Sequence, residues 1–196
     1  ISIAVLSENQ DDVELINGAL RDAGLAAHCQ WIANTKRLAD TLAAESVELL
    51  ILNCDRFRDS IRQVVKQKDR YNPEVPVIAM QQQADETAIE AAMRSGACDL
   101  VSTGLKSRLQ SVVTRELRAL RVERALNSTI QSATEYKRQL KDHMAASSSS
   151  YALVQEGIFT DVNDAWLRQF KIADRNELIG MPTMDNFEPQ SRAALR

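Results

Sequence analysis

Between Ile1 and Ser102, short apolar runs alternate with stretches whose apolar residues recur every three or four positions. That alternation restricts the fold more than any other feature of the chain. The runs are Ile1–Leu6, Ala26–Ile32, Glu48–Asn53, Pro76–Met80 and Asp99–Ser102. They are apolar almost throughout, as strands covered on both faces must be. Between them, helical spacing predicts helices over 11–23, 35–45, about 58–69 and 85–95, two of them closed by Gly24 and Gly96. Five such units imply an α/β domain with a parallel sheet and helices on both faces. Leu6, Leu50, Leu52, Val77 and Ile78 are expected in its core. The third run ends at Asn53, a polar residue at the carboxyl end of a buried strand, where open α/β sheets place their ligand crevice.

Composition excludes several functional classes. The three cysteines (Cys29, Cys54, Cys98) are far apart, no CxxC occurs, and the histidines are His28 and His143. Buried free thiols are expected rather than a zinc site or a disulfide framework, which fits a reducing, cytoplasmic setting. No apolar run approaches the roughly 18 residues of a membrane-spanning helix. The net charge is −3, yet residues 105–145 hold nine Lys/Arg against four Asp/Glu. Their arginines are interleaved with Glu116 and Glu123, the pattern of a solvated helix face, so no nucleic-acid partner is expected. The chain opens at Ile1 rather than Met, and is read as a piece of something longer.

No glycine or proline interrupts residues 105–146, which permits one helix of about 40 residues. Leu105, Leu109, Val113 and Leu117 are expected to cover the sheet. A heptad seam can be drawn through Val112, Ala119, Leu126, Ala133 and Leu140, with Val122, Thr129 and Tyr136 on its second line. The seam suits a two-stranded coiled coil and hence a homodimer. Ser147–Ser150 reads as a flexible joint. Beyond it, Leu153–Val162 has strand character, Asp164–Phe170 is amphipathic, and Glu177–Gly180 ends a short helix. At 46 residues, this last stretch is too small to bury a good core alone, so strands beyond Arg196 are expected to complete it.

Residues 1–120 resemble the response-regulator receiver domain. The resemblance rests on Val5-Leu-Ser-Glu-Asn-Gln-Asp-Asp-Val-Glu-Leu-Ile16, on Val75-Pro-Val-Ile-Ala-Met80 and on Ser95-Gly-Ala-Cys-Asp-Leu100. It implies a flavodoxin-like, doubly wound five-stranded sheet in the order 2-1-3-4-5. The family's functional positions are altered. Ser7 and Glu8 stand for its acidic pair, Asn53 for the phosphoacceptor aspartate, and Gln81 for the hydroxyl residue after strand four. Leu100 replaces the aromatic switch, and Thr103-Gly104 replaces the Lys-Pro pair. An amide is a poor nucleophile and carries no charge for a metal. Mg²⁺ sites use one or two carboxylates together with phosphate oxygens. The expectation is a pseudo-receiver with no catalytic residue and no cofactor. A rearranged acidic site of Glu8, Asp12 and Asp55, serving an active phosphorelay regulator, is the alternative.

From Tyr151 the chain resembles the first part of a PAS domain, through Glu156-Gly-Ile-Phe159, Val162-Asn-Asp-Ala-Trp166, Phe170 and Glu177-Leu-Ile-Gly-Met-Pro182. This stretch has no flavin-type cysteine motif and no histidine to ligate haem. A pseudo-receiver (1–120), a signalling helix (105–146) and a partial PAS domain (151–196) together resemble the N-terminal half of FimX-type proteins, which carry GGDEF and EAL domains. The resemblance implies cyclic di-GMP signalling, type IV pilus control, and protein partners of a signalling or pilus system. The expected docking surfaces are the helices opening near Asp85 and Leu105.

Overall fold

The structure, a computed structural model, describes residues 1–44, 47–56 and 60–186. It divides into two compact units, Ile1–Leu126 and Asn127–Arg196.

In the first unit, β1 (Ser2–Leu6), β2 (His28–Ile32), β3 (Leu49–Asn53), β4 (Val77–Gln81) and β5 (Asp99–Ser102) form one sheet in the order β2-β1-β3-β4-β5. Every pairing is parallel. This is the flavodoxin-like order that the receiver resemblance implies. The helices are α1 (Asp11–Asp22), α2 (Thr35–Ala44), α3 (Ile61–Tyr71), α4 (Glu86–Arg94) and the start of α5 (Lys106–Ala146). The expected start of α3 near Arg58 lies outside the described residues; the helix itself opens on a Ser60–Gln63 capping box. Asp85 caps α4 by accepting the Ala88 N–H at 2.7 Å.

Successive strand residues point to opposite faces. Ile3, Val5, Leu49, Ile51, Ile78, Met80 and Val101 therefore meet Ile16 and Leu20 of α1 and Leu109, Val113 and Leu117 of α5. Ala4, Leu6, Leu50, Leu52 and Val77 meet Leu38 and Leu42 of α2 and Val64 of α3. A smaller cluster under α4 holds Ala79, Ala92, Ala97 and Leu100. All five residues chosen from the sequence as core are buried.

Two assignments on α5 change. Leu105 is 53% exposed; it precedes the first helical turn and points away from the sheet's cover. Val112, drawn into the coiled-coil seam, is buried against the sheet of its own unit. One α-helical turn of 3.6 residues sets Val112 beside Val113 and Leu109 on the covered side. Gly96 closes α4 at φ +100°, and a Cβ there would stand 2.8 Å from Val65 Cγ1. Only glycine meets both conditions.

In the second unit, the stretch 153–162 is not one strand but a hairpin. β6 (Ala152–Gln155) and β7 (Ile158–Val162) pair antiparallel. Glu156 and Gly157, both at positive φ, make the two-residue turn. The helix α6 (Asp164–Phe170) follows. Residues 175–177 and 183–186 form 3₁₀ turns. Phe159, Val162 and Leu178 are its buried centre, with Trp166 edge-on to Phe159 at 5.9 Å. Trp166 thus has a packing partner already within the unit. Among the described residues, no helix is long and apolar enough to cross a membrane.

Candidate functional site

The carboxyl ends of β1, β3, β4 and β5 open on a cleft of about 360 Å³, lined by Asp12, Asn53, Asp55, Gln82 and Thr103 over Met80. This is where the crevice of an open α/β sheet is expected. Its centre is the Asp12 carboxylate, delivered by the first turn of α1. The buried Ser7 hydroxyl donates to Asp12 Oδ2, and Asn53 Nδ2 donates to the same oxygen at 2.7 Å. The other end of the Asn53 amide accepts the Asp55 N–H at 3.2 Å. Asn53 is 4% exposed. Its side chain is thus fixed at both ends, and its nitrogen sits where a carboxylate would confront Asp12. An aspartate at this position would lack that donor.

Asp55 does not face Asn53 as a second acid. Its carboxylate accepts the Gln82 N–H, while the Gln82 carbonyl accepts the Ser102 hydroxyl at 2.9 Å. The Thr103 N–H donates to the Gln81 carbonyl at 3.0 Å. Together these bonds tie the loops after β3, β4 and β5 to one another. Gln81 itself does not line the cleft; Gln82, which the sequence reading passed over, does. Leu100 is buried under α4, with none of the polar reach of an aromatic hydroxyl. Cys54, beside the site, has its thiol pushed up to about 11 by burial, with the Asp55 charge adding to the effect. At neutral pH it is a packed thiol, not a nucleophile.

The acidic trio suggested by the sequence is not assembled. Asp12 and Asp55 line the cleft, but Glu8 is exposed and lies outside it. Among the described residues, no group of three His, Cys, Asp or Glu side chains is placed to hold a metal ion. The physical reason is that Asp12 and Asp55 are each turned toward neutral donors of the protein.

A second polar cluster escaped the sequence reading. Asp99 opens β5 and is 5% exposed. Arg108 Nη2 reaches its Oδ1 at 3.1 Å, and Arg115 Nη2 its Oδ2 at 3.0 Å. Arg115 also holds Glu116 at 2.7 Å. These contacts, Glu116 first, raise the Arg115 pKa further. The signal was present: two arginines seven residues apart share one helix face, and a lone acid begins the neighbouring strand.

On α5 beyond the sheet, Val122, Leu126 and Leu140 are 61%, 57% and 50% exposed, and Ala119 and Ala133 are exposed as well.

No family model and no curated protein sequence matches this chain. Solved structures do match. A CheY-like receiver domain protein from Methanospirillum hungatei JF-1 aligns over 62% of this chain and 97% of its own, at TM-score 0.52 and 11% identity. The fold is that of a response-regulator receiver domain. The receiver domain of a Luxo repressor protein from Vibrio parahaemolyticus agrees at TM-score 0.55 and 13% identity, over 64% of this chain and 95% of that one. NtrX from Brucella abortus, solved with ADP, reaches TM-score 0.57 at 18% identity and spans 76% of this chain, which covers 36% of NtrX. On this receiver fold, Asn53 ends the third strand and Thr103 follows the fifth.

Proposed function

We propose that this chain is a non-enzymatic signalling module, in which a receiver fold that does not accept a phosphoryl group serves protein–protein contact and homodimerisation. The observation that carries the reading is the Asn53 amide. It occupies the end of β3, donates to Asp12 and accepts from Asp55, so the centre of the cleft is already satisfied. Phosphoryl transfer needs a nucleophile, which the receiver resemblance makes a carboxylate, and cations to neutralise the developing charge. Here a neutral amide and Thr103 stand at the matching positions.

In this reading the first unit is a pseudo-receiver, α5 is a signalling helix, and residues from Tyr151 form the first part of a PAS domain. The helix makes the dimer contact through Ala119, Val122, Leu126, Ala133 and Leu140. Val112, covered by its own sheet, takes no part. A seam of exposed apolar residues on a long helix supports this, because a monomer gains nothing from leaving them in water. The altered receiver positions, the uninterrupted helix and the PAS-like segment support placement in a cytoplasmic FimX-type cyclic di-GMP protein acting on type IV pili. Any cyclase or phosphodiesterase activity would then belong to other domains.

Adding Mg²⁺ with beryllofluoride, then with acetyl phosphate, tests the central point. Amide resonances of Asp12, Asn53 and Gln82 are expected to stay in place, and the intact mass to stay unchanged. A saturable shift at these amides, or a gain of one phosphoryl group on Asp12 or Asp55, would favour an active phosphorelay regulator with an atypical acidic site.

A further inference from the structure

The four serines between α5 and the hairpin have the composition of a flexible joint, but their hydrogen bonds are those of a built turn. The Ser147 N–H donates to the Met144 carbonyl at 3.3 Å, the Ser149 N–H to Ser147 Oγ at 3.1 Å, and the Ser150 hydroxyl to Gln169 Oε1. At the centre is Asn163, 3% exposed. Its Nδ2 donates to the carbonyl of Met144 at 2.9 Å and to that of Ser149 at 2.8 Å. Its Oδ1 accepts the N–H of Tyr151 at 2.9 Å and that of Trp166 at 3.0 Å. Its backbone N–H donates to the Tyr151 carbonyl at 3.1 Å.

An asparagine amide has two N–H donors and two acceptor lone pairs. All four are used here, and each goes to a different place: the end of α5, the serine turn, the start of β6 and the first turn of α6. A helix cap needs only the oxygen. The two donors, aimed at Met144 and Ser149, play no part in capping α6; one of them satisfies a carbonyl in the last turn of α5. Met144 is itself buried, so the helix end is held by packing and by this amide together.

We propose that Asn163 is a positioning residue that fixes the hairpin and α6 to the end of α5. The serine stretch is then a rigid strap, and the end of α5 and the hairpin move as one body within the second unit. Burial makes the device stiff, because an opened strap would take partners from the buried Asn163 amide and from the carbonyl of the buried Met144. The inference concerns the second unit alone, so phosphoryl chemistry at Asn53, present or absent, has no bearing on it.

The test separates the two halves of the amide in the full chain. Asn163→Asp keeps an oxygen to accept from Tyr151 and Trp166, but sets an oxygen against the carbonyls of Met144 and Ser149. Asn163→Ser keeps a capping oxygen and lacks the second donor. Backbone ¹⁵N order parameters of residues 147–151 are the readout. In the native chain they should match those of α5, about 0.85. In both variants they should fall below about 0.6, with the Trp166 amide still protected from exchange and Ile51 and Ile78 unchanged. Native values already below about 0.6, or variants in which the strap stays at the helix value, would overturn the proposal. So would a strap that loosens only when Phe159 and Val162 lose protection too, since Asn163 would then merely hold the unit folded.

Discussion

Replacing Asn53 by aspartate puts a carboxylate at the end of β3 and should destabilise the protein. Asn53 Nδ2 lies 2.7 Å from Asp12 Oδ2. The substitution removes a hydrogen bond to a charged group, worth about 1.5–3 kcal/mol. It also sets two carboxylates at that spacing. Their repulsion is about 1.5 kcal/mol at the dielectric constant of water and about 6 kcal/mol at an effective constant of 20. Position 53 borders an open cleft, so the low end of the repulsion applies, and the total should be about 3–4.5 kcal/mol. Asn53→Ala loses the hydrogen bond without the repulsion and is the control.

Urea unfolding at pH 7 should show Asn53→Asp less stable than Asn53→Ala. Mg²⁺ should narrow the gap, by binding between Asp12 and the new carboxylate. An Asn53→Asp variant as stable as the native chain at pH 7 would refute the account of Asn53 as the donor that satisfies Asp12.

Gly96→Ala should cost about 1–3 kcal/mol, from a positive φ and a Cβ against Val65, seen as a lower thermal midpoint. Arg108→Ala and Arg115→Ala should each cost about 1 kcal/mol, and the double variant more than their sum, because each arginine alone still neutralises the buried Asp99. A double-mutant cycle in urea checks this, and simple additivity would count against a shared carboxylate. Leu126→Glu should lower the molar mass in light scattering at micromolar concentration toward that of the monomer, with the receiver fold's circular dichroism retained. An unchanged mass would count against the seam.

The sequence by itself determined the sheet. Near-continuous apolar runs such as Leu49–Leu52 have one stable place in an α/β domain, between two helical layers; right-handed crossovers leave few strand orders, and the resemblance to receiver domains chose among them. The sequence also placed an amide, Asn53, at the end of β3, and the proposal of a receiver fold that takes no phosphoryl group starts from that residue. Tertiary structure alone decided what the surrounding polar residues do. Asp12 and Asp55 look equivalent to Glu8 in sequence, but hydrogen bonds to Ser7, Asn53 and the Gln82 N–H give each a different task. Val112 fits a heptad as well as Leu126 does, because a period of 3.5 and one of 3.6 coincide over a few turns; only packing shows which face the sheet has taken. The hairpin turn at Glu156-Gly157 was hidden inside an apolar stretch, because a two-residue turn interrupts hydropathy too briefly to register. The serine strap was hidden for another reason: composition reports how free a backbone is in isolation, whereas its freedom in the fold depends on Asn163, thirteen residues beyond Ser150 in sequence and in contact with the strap in space.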